Sequence, residues 1–479
     1  MLLVSPVFTK GRNRSSLHPP TGIGYVAEAL QKAGVSVSVL DMNLGYSFED
    51  LGKWIDEFNP ELIGFSAMTL GYRHFYNFIE RVKKKYPKIK IVVGGAHISS
   101  LRENVLMECS AIDYGIIYEG DISSAQLCAG EDLDNIQGLI YRDNDQIILN
   151  KHEYFIKDLD QIHFPKFELF EMGKYPTKQI GIVTSRGCPY QCVYCSAPVS
   201  IGKAFRVRSA QNIVAEINYW YSRGYNDILI LDDNFTLLRG RVEEICRLLI
   251  QARHKDLRIK CPNGIRADKV DFELLKMMKA AGFDFIAFGV ESASNKVLNN
   301  LKKGENIQII EKRIKEACEL GFDVDLFFLI GSPGETMEDV QMSFDLALRY
   351  PLRRAIFYNL IPLPSTELTG WLIKNNYLVY PMEDILNNAS YYANFPCFYT
   401  PELSISERKK AVKMGKDVMI TIRRRFVERK IIGPYLFRRI FSKIYTLPIL
   451  DDMLNNNRFI VWAKEKLKNA FVKVRSQLA

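Results

Sequence analysis

Three thiols dominate the chemistry open to this chain. Cys188, Cys192 and Cys195 stand in Cys188-Pro189-Tyr190-Gln191-Cys192-Val193-Tyr194-Cys195, directly after the apolar run Ile180-Gly181-Ile182-Val183-Thr184-Ser185. That context predicts one loop leaving a buried strand. Thiols so close cannot pair two by two without leaving one free, which favours a metal over a disulfide. Structural zinc usually takes two Cys pairs or Cys with His, and no second Cys-x-x-Cys occurs here. Iron fits better, because a cubane held by three thiolates keeps one iron open to a substrate or cosubstrate. Cys109, Cys128, Cys246, Cys261, Cys318 and Cys397 are scattered singly, as small core residues of a reducing compartment would be.

A repeating αβ series must position the thiols. It supplies six strand-like runs, Ile180-Ser185, Asp227-Asp232, Arg258-Asn263, Phe283-Val290, Asp323-Leu329 and Ala355-Ile361, with helical stretches such as Gln211-Ser222 and Asp271-Ala281 between them. Repeated βα units predict a barrel or part of one, whose site lies at the carboxyl ends of the strands. The thiol loop lies at such an end. Polar or glycine-rich signals recur at the others: Asp232-Asp233-Asn234-Phe235-Thr236, Asn263-Gly264-Ile265-Arg266, Gly289-Val290-Glu291-Ser292, Gly331-Ser332-Pro333-Gly334 and Pro362-Leu363-Pro364-Ser365. Each alone is ordinary turn chemistry. In register after successive strands, they predict one pocket.

Residues 1–125 alternate apolar runs of strand length with amphipathic helices, which predicts a doubly wound parallel sheet. Ligands of such sheets sit at strand carboxyl ends, which here carry Pro19-Pro20-Thr21-Gly22, Ser66-Ala67-Met68-Thr69, Gly94-Gly95-Ala96-His97 and Tyr118-Glu119-Gly120-Asp121. Glycines there let backbone approach a ligand closely. His97, alone after a Gly-Gly turn, reads as a surface or capping residue. Gly138 to Leu149 reads as a hairpin within a linker.

The stretch Ser185-Arg186-Gly187-Cys188 through Cys195 resembles the cluster loop of radical S-adenosylmethionine enzymes. The four N-terminal signals resemble the cobalamin-binding domain that precedes the barrel in one large class of them. The resemblance covers about Met1 to Leu368. It implies a [4Fe-4S] cluster on Cys188, Cys192 and Cys195, whose open iron chelates S-adenosylmethionine and whose electron cleaves it to a 5′-deoxyadenosyl radical. It implies cosubstrate contacts from Tyr194, Asp232, Arg266 and Glu291, with the Gly331 turn beneath adenine. It implies cobalamin beside Ser66, Thr69, Gly94, Gly95 and Glu119. The loop Asp41-Met42-Asn43-Leu44 lacks the Asp-x-His-x-x-Gly pattern, so no His is offered there as a lower cobalt ligand.

The expected organisation is therefore α/β. A Rossmann-like cobalamin-binding domain (1–135) is followed by a linker hairpin (136–179), a partial (β/α)6 TIM-type barrel (180–370) and a basic helical C-terminal domain (371–479). The implied activity is cobalamin-dependent methylation of an unactivated carbon in a small-molecule or lipid-like substrate. Radical cyclisation and a non-catalytic sensor are the alternatives. An electron donor such as flavodoxin or ferredoxin would serve it.

Composition bounds the rest. The 479 residues, 47% hydrophobic, suffice for two or three domains with large cores. The N-terminus lacks the basic flank of a signal peptide, and no apolar run reaches spanning length, so a cytoplasmic protein is expected. The net charge of +9 is concentrated after Trp371, where 20 Lys and Arg face 9 Asp and Glu. Ser404-x-x-Glu407 opens a helix to about Lys430, apolar at Ala411, Met414, Val418 and Ile422. With Tyr435, Phe437, Phe441, Phe459, Trp462 and Phe471 among basic residues, this tail reads either as a peripheral contact with an anionic membrane or as a cap on the barrel. No nucleic-acid module accompanies the charge.

Overall fold

The computed structural model describes residues 1–7, 17–144, 146–152, 155–431, 439 and 442–443. The first sheet contains β1 (Leu2–Ser5), β2 (Ser38–Asp41), β3 (Leu62–Ser66), β4 (Lys90–Gly94), β5 (Tyr114–Ile116), β6 (Leu139–Asp143) and β7 (Gln146–Leu149), in the order β2-β1-β3-β4-β5-β6-β7. The first five are parallel neighbours, joined by helices including Thr21–Lys32, Phe48–Phe58 and Tyr72–Lys85. Phe48–Phe58 starts where it does because Ser47 and Asp50 form a reciprocal capping box.

The hairpin expected in the linker is part of this sheet. β6 pairs antiparallel to β5 through Tyr114↔Tyr141 and Gly115↔Ile140, and β7 pairs with β6. The physical reason is the short edge strand β5, whose open backbone groups the hairpin satisfies. Leu139 and Ile140 are fully buried as a result.

The second sheet is the open barrel. β8 (Gln179–Ile182), β11 (Asp227–Ile230), β12 (Arg258–Ile265), β13 (Phe283–Glu291), β14 (Asp323–Ile330) and β15 (Arg354–Asn359) pair in sequence order, all parallel. Between β8 and β11, a small antiparallel ribbon of β9 (Ser185–Arg186) and β10 (Arg206–Val207) flanks the thiol loop. Outer helices Ala210–Ser222, Arg239–Ala252, Phe272–Ala280, Ile307–Glu319 and Met337–Arg349 return the chain between strands.

The two sheets share one apolar core. Ile23, Ala27 and Leu30 of the first helix pack with Phe167, Phe170 and Trp220 in the same cluster as the barrel interior. Gly24 permits this contact, since a Cβ there would stand 2.8 Å from Pro165. Polar bonds add register: Thr21 donates to the Gly181 carbonyl at 3.3 Å and Tyr25 to that of Val183 at 3.2 Å.

Helix Ile405–Lys430 begins at the expected capping box of Ser404 and Glu407. Ala411, Val412 and Ile422 are buried in the barrel core, with Met414 and Val418 packed against it. This helix is therefore a cap on the barrel. Tyr435, Phe437, Phe441, Phe459, Trp462 and Phe471, on which the membrane reading rests, lie outside the described residues. Among the described residues no helix is long and apolar enough to cross a membrane.

Candidate active site

The thiol loop is tied to the barrel along its length. Gly187 has φ +86°, and a Cβ there would fall 2.1 Å from the Ala204 carbonyl, so only glycine fits. The Cys188 N–H donates to Gly202 O at 3.2 Å and Val193 N–H to Leu301 O at 3.1 Å, while Val193 O accepts from Leu368 N–H at 2.9 Å. The Tyr190 ring lies under the Arg266 guanidinium, 3.7 Å from its carbon. All three thiols are free, and burial raises their pKa values, that of Cys195 to about 11. Thiolates in such surroundings need a compensating cation, which iron would supply. The donor set fits a cluster, which spreads its thiolates over several irons, better than a lone zinc.

Asp232 is engaged within the protein. Fully shielded, it accepts from the Thr184 N–H at 2.6 Å, from both the Thr184 and Ser185 hydroxyls, and stands 3.8 Å from Arg241. It anchors the strand end from which the thiol loop departs. Arg266 is likewise a brace rather than a free cation. Its three nitrogens donate to Asp268 at 2.9 Å, Lys303 O at 2.8 Å and Gly304 O at 3.1 Å. The pairing with its own turn and with a neighbouring loop saturates the guanidinium, a commitment that strand-end position alone does not reveal.

Glu291 closes β13 with φ +63°, a strained setting for a non-glycine residue. Its carboxylate receives the Lys303 ammonium at 3.1 Å, and the Tyr194 hydroxyl lies beside it. Burial and the Glu291 charge push the Tyr194 hydroxyl well above its ordinary pKa. Lys303 is itself buried, with Glu305 3.5 Å away and Cys192 close enough to feel its charge. The sequence reading missed Lys303, because Lys302-Lys303-Gly304 looks like a solvated turn.

Gly331 follows β14 with φ +97° and rests on Arg408 of the capping helix, where a Cβ would reach 2.2 Å from Arg408 Cζ. Arg408 is fully buried and donates to Asn359 Oδ1 at 2.8 Å, Leu360 O at 2.6 Å and Phe398 O at 3.1 Å. The Gly331 N–H donates to Glu335 at 2.6 Å, and burial lifts that carboxyl to about 8.

A cavity of about 320 Å³ opens between the two sheets. Ser66, Gly94, Gly95 and Glu119 wall it from the first sheet, and Val183, Ser185, Arg186 and Asp233 from the barrel. Backbone is bared to it: a Cβ on Gly22 would meet nothing within 4 Å, and one on Gly94 only Ile116 O at 3.9 Å. Such a glycine-lined wall at strand ends suits a large flat ligand such as a corrin. Thr69 is not part of it. The chain turns after β3 so that Thr69 is buried in protein while its neighbour Met68 is exposed. Glu119 lines the cavity but is already engaged, accepting from Arg206 at 2.7 Å and lying 3.2 Å from Arg186.

His97 is a core residue, not a surface or capping one. It is fully buried, stacked on Tyr72, and its Nε2 lies 2.8 Å from the Tyr76 hydroxyl. Burial lowers its pKa to about 4. Asp41, where a His-bearing loop is absent, accepts from Asn43 and from the Tyr175 hydroxyl at 2.9 Å.

Comparison with known proteins agrees with this geometry. Residues 182–347 match the radical SAM superfamily and residues 11–127 the B12 binding domain. An uncharacterised methyltransferase of Pyrococcus horikoshii is 30% identical over 370 residues, spanning 75% of this chain and 80% of the relative. Cytidylyl-2-hydroxyethylphosphonate methyltransferase of Streptomyces wedmorensis is 26% identical over 423 residues, spanning 75% and 78%. The fold is shared with the radical S-adenosylmethionine methyltransferase TsrM from Kitasatospora setae, at a TM-score of 0.71 and 18% identity over 97% of this chain and 99% of that one. With both cofactor-binding halves matched and a relative of this identity covered over most of its length, the chain belongs to the cobalamin-dependent radical S-adenosylmethionine enzymes.

Proposed function

We propose that this enzyme transfers a methyl group to an unactivated carbon of a small molecule held between the cavity and the thiol loop. The observation that carries the reading is the shared wall. Val183, Ser185 and Arg186, which line the cavity, run directly into the loop bearing Cys188, Cys192 and Cys195. Bound cobalamin would carry the methyl group, and cluster-bound S-adenosylmethionine would supply the 5′-deoxyadenosyl radical that removes hydrogen from the target carbon.

The protein's own residues then have distinct tasks. Cys188, Cys192 and Cys195 hold three irons. Glu291, fixed by Lys303, accepts hydrogen bonds from the cosubstrate, and Tyr194 and the Gly331 turn shape its adenine seat. Ser66, Gly94 and Gly95 let the corrin and its nucleotide tail lie against backbone. The buried aromatic setting of His97 and the bonded Asp41 loop support a cobalt without a protein nitrogen. A low-potential carrier such as flavodoxin or ferredoxin supplies electrons in the cytoplasm.

The test is anaerobic reconstitution of the full chain, with iron, sulfide and corrinoid counted, followed by reaction with methyl-deuterated S-adenosylmethionine. The expected result is one four-iron cluster, one corrinoid without imidazole ligation, 5′-deoxyadenosine, and the deuterated methyl on a small-molecule product. Cys192→Ala should lose the cluster. Turnover whose product carries no methyl from S-adenosylmethionine would replace methylation with cyclisation, and full iron in Cys192→Ala would remove the cluster assignment.

A further inference from the structure

The interior of the open barrel is not filled. Side chains alternate along each strand, and those turned outward are buried under the helices. Phe328 and Phe357 stack 4.7 Å apart, Phe344 of helix Met337–Arg349 stands edge-on to Phe357, and Gly415 of the capping helix lies against it. Their chain neighbours Phe327, Leu329, Ile356 and Tyr358 therefore turn inward. A closed barrel would pack such residues in layers. Here Phe327, Leu329 and Ile356 are only partly buried, and Tyr358 is 47% exposed.

Two contacts fix where this wall lies. Val183 and Leu231, which follow the outward Ile182 and Ile230, line the cavity between the sheets, so the barrel interior opens onto that cavity. Leu329 packs against the apolar cluster that contains Val193 of the thiol loop. Tyr358 is its partner in register on β15, and it stands close enough to Glu291 to feel that charge. The wall itself offers no free charge. At the amino ends of the strands Gln179 and Lys260 donate to Asp227, and Arg353 and Arg354 donate to Asp325 at 2.8 Å, so those groups are spent on one another. What remains beside the cosubstrate site is hydrocarbon and the rings of Phe327 and Tyr358, edge to face with centroids 6.0 Å apart. An apolar wall left half-covered within a site favours a ligand that removes it from water.

We infer that this wall receives the substrate: the molecule to be methylated lays a hydrocarbon or aromatic group against Phe327, Leu329, Ile356 and Tyr358, and the target carbon belongs to or adjoins that group. This rests on the methyl-transfer reading above. A molecule polar throughout, such as a sugar phosphate, would lose hydration here without gaining hydrogen bonds and is disfavoured.

The experiment uses the full chain loaded with cluster and corrinoid, methyl-deuterated S-adenosylmethionine, and two probes, the chloroform–methanol extract and the aqueous extract of the same cells. The wild type should label a compound whose methylated carbon lies in or next to a hydrocarbon chain or aromatic ring, and the extract that holds it tells a lipid from a soluble metabolite. With that compound, Tyr358→Ala removes the half of a large apolar side chain that the substrate would cover, which predicts a KM raised roughly 3- to 10-fold with kcat little changed. Tyr358→Phe, which keeps the ring, should hold the wild-type KM. Iron, corrinoid, cosubstrate affinity and substrate-free 5′-deoxyadenosine formation should match the wild type in both variants. A labelled compound that is polar all around the methylated carbon, an unchanged KM in Tyr358→Ala, or an equal defect in the two variants would overturn the wall and leave methyl transfer standing. If the wild type labels nothing in either extract, the methyl-transfer reading falls and takes the wall with it.

Discussion

Glu291 and His97 show how a single buried group can be read from its partners. Glu291 sits in a strained backbone conformation, held by Lys303 at 3.1 Å, so its carboxylate is fixed before any ligand arrives. Removing a charged hydrogen-bond partner costs about 1.5–3 kcal/mol, so Glu291→Ala should weaken S-adenosylmethionine binding by roughly 10- to 150-fold. Lys303 keeps Glu305 at 3.5 Å, so the iron content should be unchanged. Equal affinity by calorimetry would return Glu291 to a structural role. His97 makes a pH prediction of definite sign. Its pKa is about 6.5 when unfolded and about 4 when folded, because burial disfavours the imidazolium. The unfolded chain therefore binds the proton first, and stability falls as pH drops from 6.5 to 4, by about 3 kcal/mol in all. Urea midpoints for wild type and His97→Phe should converge toward pH 4 after separating near neutrality. Parallel curves would show that His97 does not titrate between the two states.

At the scale of elements, the capping helix is tied to the site by one side chain. Gly331 can follow β14 only at positive φ, and Arg408 fills the space where a side chain would stand. Gly331→Ala would add about 1–2 kcal/mol of backbone strain and, by displacing Arg408, leave buried acceptors unpaired at about 1–3 kcal/mol more. A melting temperature lowered by roughly 4 °C or more is expected, together with weaker cosubstrate binding. An unaltered melt would mean that helix Ile405–Lys430 yields without loss. Much of this level was legible in the sequence: the βα period, the parallel strands and the capping box at Ser404 all follow from local patterning. The hairpin's place was not, since pairing β6 with β5 is decided by an edge that only the assembled sheet exposes. The thiol loop was legible from spacing alone. That Arg266 and Asp232 are engaged within the protein and Thr69 is buried was not legible, because position at a strand end does not say whether a side chain is already engaged. Lys303 was invisible for the converse reason: its burial arises only on folding.

The whole molecule works as one site only if the two sheets keep their distance and angle. Their apolar cores are continuous, but the cavity side is closed by charge. Arg186 of β9 donates to Asp121 at 2.8 and 3.2 Å and lies 3.2 Å from Glu119, which also accepts from Arg206 of β10 at 2.7 Å. Asp121 and Glu119 belong to the loop and helix start after β5, so the ion pairs latch the first sheet to the ribbon beside the thiol loop. The Arg186 cation holds Asp121 below the usual carboxylate range despite its burial. Breaking a buried pair by removing one partner costs about 3–5 kcal/mol, because the other charge stays behind uncompensated. Glu119 remains for Arg186, so Asp121→Ala should fall at the lower end of that range and leave the fold intact. What it should lose is the cavity wall: the corrinoid-to-protein ratio after anaerobic gel filtration should drop well below that of the wild type, while iron and sulfide stay the same. Adding Arg186→Met removes the stranded charge and should recover stability without restoring corrinoid retention, since the latch is still absent. Full corrinoid in Asp121→Ala would show instead that the shared apolar core alone sets the spacing of the two sheets.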